Sequence, residues 1–209
     1  MSKSVAPAVE ETPQTKQLKS EIDLTNQFLI AMPGMADPQF SGAVVYLCEH
    51  SERGALGLII NKPSDINVKD LFAKVELSLD SDEAATSLGN SPVFLGGPVQ
   101  TERGFVLHDS ANNAYNSSLT IPGGLEMTTS RDVLEAVANG AGPKRMAIML
   151  GYAGWSAGQL EDELGRNGWL TVDADPAVIF DTPIEQRFNK ALALLGVDPS
   201  FLSAQAGHA

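Results

Sequence analysis

The sequence predicts an α/β protein in which a mixed β-sheet is flanked by helices. Two observations carry this prediction. Short apolar runs bounded by turn residues come in hairpin-like clusters before residue 128, and segments with helix start signals alternate with strands after it. The chain has 209 residues and is 43% hydrophobic, which suffices for a sizeable core in one domain.

The first segment, residues 1–22, carries prolines and charged residues but few large apolar side chains, so we expect a disordered leader. The folded domain is then residues 23–209. The leader resembles neither a secretory signal nor a transit peptide, and no apolar run approaches the roughly 18 residues that span a bilayer. Cys48 is the single cysteine, so nothing indicates an oxidising compartment. We therefore expect a cytoplasmic protein without membrane association.

The first folded elements are predicted to be strands. Phe28–Met32 is an apolar run closed by a proline–glycine turn. Val44–Cys48 lacks alternation, which indicates a strand covered on both faces, and Leu56–Ile60 forms a hairpin with it. Pro63 ends that hairpin, and Asn67 is positioned to cap a short helix.

The middle of the chain adds two predicted strand pairs. Val93–Leu95 and Gly104–His108 are apolar runs that we expect to pair. Leu119–Ile121 and Leu125–Thr128 flank the turn Pro122-Gly123-Gly124, which predicts a second hairpin.

After the second hairpin, helix start signals appear. Thr129 opens a predicted helix that ends at Gly140. Met146–Leu150 is apolar throughout, as a central strand would be. The segment Gly151–Gly158 is predicted to be a glycine-rich turn, within which Ser156 caps the next helix.

The C-terminal part is predicted to hold two strands and a helix. The strands are Trp169–Val172 and Val178–Phe180. Thr182 as cap, Pro183 at the first position and Glu185 as the reciprocal carboxylate give the clearest helix start in the chain. The apolar face of this helix is Ile184, Phe188, Ala191, Leu192 and Leu195.

Several segments resemble one bacterial family in the same order from about Leu24 to Ala209. They are Met32–Met35, Asp37–Phe40, Tyr46–His50, Gly57–Pro63, Gly96–Val99, Arg103–His108, Leu150–Glu161, Asn167–Leu170 and the terminal Gly207–Ala209. They resemble the YqgE/AlgH family, and Leu150–Glu161 is the most specific of them. The leader lies outside the match.

The resemblance implies an α/β fold whose mixed sheet partly curls into an open barrel, in one domain or in two subdomains. It brings no catalytic residues, because none are securely defined in the family. One branch carries a name that suggests transcriptional regulation of exopolysaccharide synthesis, which is no indication of DNA contact.

Cys48, His50 and His108 form the most chemically suggestive set. Residues two apart on a strand share a face, so Cys48 and His50 are expected to point the same way, and His108 ends another strand. A neighbouring imidazolium lowers a thiol pKa, which makes a thiol-based redox sensor or enzyme one hypothesis. The alternative is that Cys48 is a small buried hydrophobe. The spacing matches no zinc signature, and we expect neither metal nor cofactor.

Gly151, Tyr152, Gly154 and Trp155 are the candidate ligand-binding residues, since they lie between a strand and a helix start. The segment matches neither the P-loop nor the dinucleotide fingerprint. The alternative is a packed corner, in which Trp155 packs on Leu160 and the glycines allow close backbone approach.

The formal net charge is −12 and no window is rich in Lys or Arg, which makes direct nucleic-acid binding an unfavoured alternative. With no complete catalytic motif, the sequence favours a non-enzymatic regulatory or interaction protein with a protein or small-molecule partner. Any link to transcription would then be indirect.

Overall fold

Ten strands form one curled sheet in the computed structural model, which describes residues 23–79, 88–110 and 114–197. The strands are β1 Gln27–Ala31, β2 Val44–Ser51, β3 Gly54–Ile59, β4 Pro63–Asn67, β5 Pro92–Leu95, β6 Val99–Asp109, β7 Ser118–Ile121, β8 Leu125–Thr128, β9 Met146–Ser156 and β10 Trp169–Asp173. Within the described ranges the helices are α1 Val68–Lys74, α2 Asp132–Ala138, α3 Gln159–Gly165, α4 Pro176–Phe180 and α5 Ile184–Leu194. The predicted leader lies outside the described residues, and the division into one domain or two subdomains stays a prediction.

The predicted mixed sheet is confirmed. Its main path is β10-β1-β2-β3-β9-β6-β8-β7, with antiparallel neighbours, and β5 joins β9 in parallel while also pairing with β4. The antiparallel strands curl into a half-barrel. The expected pairing of β5 with β6 is wrong because β9 lies between them: Phe94 and Phe105 both face Met149, from opposite sides.

Apolar side chains leave the sheet on both faces. The main core lies inside the half-barrel, where Tyr46 and Leu58 pack with Leu192 of α5. The second core lies on the outer face, where Leu47 packs with Trp155 and Leu160. A third core sits between the sheet and helices α1 and α2. β2 supplies side chains to the main and second cores alternately, which confirms the prediction that it is covered on both faces.

The helix starts were predicted with mixed success. Asn67 caps α1 in a capping box with Asp70, as expected. Val178–Phe180 is not a strand but the end of α4, which Asp175 caps. Thr182 does not cap α5, because its hydroxyl donates to the Ala177 carbonyl at 3.0 Å.

The last helix, α5, begins at Ile184, with Pro183 as its N-cap residue. Its predicted apolar face does pack against the main core. No helix of the described ranges is both long enough and apolar enough to cross a membrane.

Candidate functional site

A β-bulge at Cys48 separates the residues of the predicted thiol site. Leu47 pairs with Gly57 and Glu49 pairs with Leu56, which leaves Cys48 as the extra residue. Cys48 and Leu56 both pack on the main core, so Glu49, opposite Leu56, points to that side. His50 is opposite Ala55, which packs against the second core. The expectation that Cys48 and His50 share a face is therefore wrong, because the bulge reverses the alternation.

The Cys48 thiol is sealed in the core. It is 1% exposed, and its Sγ lies 3.7 Å from the Tyr46 carbonyl oxygen, a weak hydrogen bond. Burial, with a smaller contribution from the Glu49 carboxylate, raises the pKa of the Cys48 thiol well above its ordinary value. The arrangement keeps the thiol protonated, the opposite of what a reactive thiolate requires.

The two histidines lie in different places. The Nδ1 atom of His50 accepts the Leu24 N–H at 3.2 Å, so its Nε2–H donates to Glu161 at 2.9 Å. His108 is fully buried: its Nδ1–H donates to the Asp109 carbonyl at 2.8 Å, and its Nε2 is 2.9 Å from the Thr128 hydroxyl. Each imidazole is held by structural partners, and the three predicted residues do not converge.

The predicted turn at Gly151–Gly158 is wrong, because β9 continues through Ser156. Gly151 has φ 71°, and a Cβ there would lie 2.5 Å from the Gly97 carbonyl oxygen. Close backbone packing, the alternative considered for these glycines, accounts for Gly151. The N-cap of α3 is Gly158 rather than Ser156, whose N–H instead donates to the Gln159 side chain at 3.1 Å.

Trp155 is buried and joins Leu160 in the second core, as the packed-corner alternative predicted. Its polar partner was not predicted. The indole N–H groups of Trp155 and Trp169 both donate to one carboxylate oxygen of Glu163, at 2.9 and 2.8 Å. The two rings meet edge to face at 6.0 Å, and Phe40 covers both. The spacing of an acidic residue between two tryptophans was the available signal.

An open groove lies between the β2–β3 end and strands β6 to β9, and three candidate ligand-binding residues reach it. One part, about 420 Å³, is lined by Glu49, Ser51, Arg53, Gly54, Ala55, Leu56, Val99, Tyr152, Gly154 and Trp155. The adjoining part, about 320 Å³, shares Glu49, Leu56 and Tyr152 and adds residues of β6, β7 and β8. We call the two parts together the mouth groove. The fourth candidate, Gly151, is buried behind it.

Two arginines stand at the mouth groove. Arg53 is exposed on the β2–β3 turn. Arg103 lies over the Phe105 ring at 5.6 Å and donates to the Thr129 hydroxyl at 3.1 Å. Glu49 is the acidic residue of the lining. Among the described residues that line the groove, cationic groups thus outnumber anionic ones, although the net charge of the chain is −12.

Within the described residues β7 pairs with β8 only; its other edge approaches β2 and borders the same groove. β7 ends the strand order, and Ser118 and Leu119 line the groove. The Thr129 N–H donates to the Ser117 carbonyl at 3.2 Å, and paired residues alternate between bonded and non-bonded along such a ladder. The N–H groups of Ser118 and Thr120 consequently point to the open edge, where an added strand would meet them.

Known proteins match this chain over nearly all of its described residues. A family model described as AlgH-like matches residues 28–200. A UPF0301 protein from Ralstonia nicotianae is 68% identical over 188 residues, which are 90% of this chain and 96% of that relative. The solution structure of the AlgH protein from Pseudomonas aeruginosa is 48% identical, with a TM-score of 0.72 over 97% of this chain and 100% of that one. A crystal structure from Corynebacterium diphtheriae, 19% identical, has a TM-score of 0.63 over 81% of this chain and 85% of that one, and shares the fold alone.

Proposed function

This chain belongs to the AlgH-like family, and from that premise we propose that it is a non-enzymatic regulatory or interaction protein of the cytoplasm. Its partner is a protein that inserts an extended segment, alternating apolar and acidic residues, into the mouth groove. The observation that carries this proposal is the juxtaposition, in one groove, of the open edge of β7, an apolar floor and two arginines.

The floor of the groove suits alternate side chains of an added strand. Leu56, Tyr152 and Leu119 are partly buried and pack against the main core from the groove side. In a strand, every second side chain points to the same face. A segment paired with β7 would thus present one row of side chains to this floor, while its backbone bonds the Ser118 and Thr120 N–H groups.

The charge of the groove determines which side chains are favoured in the second row of the added strand. Arg53 and Arg103 line the groove and neither forms an ion pair with a carboxylate of the described residues. Arginine presents a planar fork of donors that matches a carboxylate. Acidic side chains of the partner would be drawn to this groove, whereas the rest of the acidic surface favours basic ones.

A role in transcription, if the family name reflects one, would be indirect under this proposal. A duplex carries one phosphate charge per roughly 1.7 Å, and a net charge of −12 repels it. Titration with duplex DNA and with single-stranded RNA at low salt should show no saturable binding.

The direct test uses a defined peptide. Isothermal titration of the full chain with acetyl-Val-Asp-Val-Asp-Val-Asp-amide should give saturable binding that weakens with added salt. Arg53→Ala and Arg103→Ala should each weaken it about two- to fivefold, the range of an exposed ion pair. Arg131→Ala, which removes an exposed charge at the N-cap of α2, is the matched control and should leave binding unchanged.

Two results would contradict the proposal. One is equal binding of the corresponding Val-Lys peptide, which would assign the interaction to the overall negative charge. The other is binding of the acidic peptide that is indifferent to both groove arginines. For the location, fractionation of cells that produce the protein at native level should leave it with the cytoplasmic fraction rather than with membranes.

A further inference from the structure

A second cavity, away from the mouth groove, holds a buried arginine. It has a volume of about 370 Å³ and is lined by residues of β5, β9, α4 and α5. Most of the lining residues are apolar, among them Phe94, Ile148, Phe180 and Ile184, while polar atoms supply nearly half of the exposed lining. Arg187 of α5 forms part of the lining and is 6% exposed. We call this space the α5 cavity.

The contacts of Arg187 hold the guanidinium in place without neutralising it. Its Nε donates to the Thr182 carbonyl at 3.0 Å and its Nη1 donates to the Ile60 carbonyl. The guanidinium carbon lies 4.9 Å from the centre of the Phe94 ring. No carboxylate of the described residues lies within ion-pair distance of Arg187, and no hydrogen bond within those residues uses its Nη2.

A buried arginine without a counter-charge is an unusual arrangement. Burial lowers the pKa of Arg187 to about 10, which leaves the group protonated at neutral pH. A buried charge is strongly destabilising unless it is paired. Asp181 also lines the cavity, but it is exposed and faces Arg145 at 3.8 Å. An anion entering the cavity would supply the missing partner.

We propose that the α5 cavity binds a small monocarboxylic acid with an apolar body, whose carboxylate pairs with Arg187. The planar guanidinium matches a carboxylate, and one cation balances one negative charge. Phe94, Ile148 and Ile184 give the body of the acid an apolar surface, which a hydrated inorganic anion would not exploit. The site is independent of the mouth groove, so it stands or fails separately from the proposed function.

The probe is hexanoate, titrated calorimetrically into the full-length protein. Hexanamide has nearly the same shape without the charge, and inorganic phosphate has charge without an apolar body. We expect hexanoate to bind saturably and both of the others to bind more weakly. Arg187→Met should weaken hexanoate about 10- to 100-fold, as expected for the loss of a charged hydrogen-bonded partner. Arg131→Met, the matched surface control, should leave it unchanged.

A second variant separates binding from folding, because Arg187 also ties α5 to Ile60, the residue after β3. Ile184→Trp narrows the cavity and leaves the arginine in place, so it should abolish hexanoate binding while circular dichroism stays native. Equal binding of hexanoate and hexanamide would overturn the proposal, as would unchanged binding in Ile184→Trp, or absence of saturable binding to the wild type. Tighter binding of N-acetyl-leucine, which models a protein C-terminus, would overturn the assignment to a free small acid.

Discussion

Glu163 holds two buried tryptophans, and its removal tests the second core most sharply. One carboxylate oxygen accepts both indole N–H groups, at 2.9 Å from Trp155 and 2.8 Å from Trp169. The tryptophans are 6% and 3% exposed. Glu163→Ala leaves two buried donors unpaired at about 1–3 kcal/mol each, so the free energy of unfolding should fall by about 2–6 kcal/mol.

The variant Glu163→Gln tests a partial loss of the same interaction. The amide keeps one acceptor oxygen but removes the charge that strengthens both bonds, so we expect a loss of about 1–3 kcal/mol. The control is Glu161→Ala on the same helix, where a half-exposed carboxylate meets His50 at 2.9 Å. That change should cost no more than about 1 kcal/mol.

Equilibrium unfolding in urea, followed by far-ultraviolet circular dichroism, measures all three variants without depending on tryptophan emission. Slopes equal to that of the wild type would show that the denatured state is unchanged. The reasoning is refuted if Glu163→Ala loses less than about 1 kcal/mol, or if it loses no more than Glu161→Ala does.

Three further predictions follow from the sheet and its turns. Because burial raises the pKa of the Cys48 thiol, iodoacetamide at pH 8 should alkylate it only after denaturation; native reaction at the rate of a free thiol would restore the thiol hypothesis. Gly151→Ala should destabilise by at least about 1–2 kcal/mol, since φ is positive there and the new methyl group meets the Gly97 carbonyl; a smaller loss in urea unfolding would mean that the backbones are not in contact. Hydrogen bonds, chiefly from Ser130, lower the pKa of Asp132, so its stabilisation is present above about pH 4 and is lost as pH falls through the folded-state pKa. The deficit of Asp132→Asn should therefore shrink with acidification, and a constant deficit from pH 7 to about pH 2 would contradict this.

Local patterns predicted local structure well. The β2–β3 and β7–β8 hairpins follow from apolar runs separated by turn residues, and the Asn67 cap follows from its spacing to Asp70. These features depend on residues close in sequence. By contrast, Val178–Phe180 is too short an apolar run for its period to distinguish helix from strand; the cap at Asp175 and Pro176 was the better signal.

Features that depend on distant pairing were not predictable. The bulge at Cys48 is defined by the register against β3, and it alone decides that His50 leaves the main core. β9 runs on through Gly154 because β3 is there to pair with it. The glycines of this segment suggested a turn, whereas pairing with β3 keeps the backbone of β9 extended.

The residues of the mouth groove could be located from the sequence only in part. The position between a predicted strand and a helix start singled out Tyr152, Gly154 and Trp155, which line the mouth groove; that they bind a ligand stays a prediction. Arg103 and Arg187 had no signal, because an isolated arginine on a strand or a helix gives no indication of what lies opposite it. Their surroundings come from residues remote in sequence: Thr129 for the first and Ile60 for the second.

Hydrogen exchange at the edge of β7 tests the central claim most directly. Exchange of the Ser118 and Thr120 amides is followed in the full chain, with and without saturating acetyl-Val-Asp-Val-Asp-Val-Asp-amide. Strand addition in the mouth groove predicts that both amides become protected, while the Met127 amide, already bonded within the β7–β8 pair, changes little. Binding that leaves Ser118 and Thr120 exchanging at their free rates would contradict the claim that this groove receives an extended partner segment.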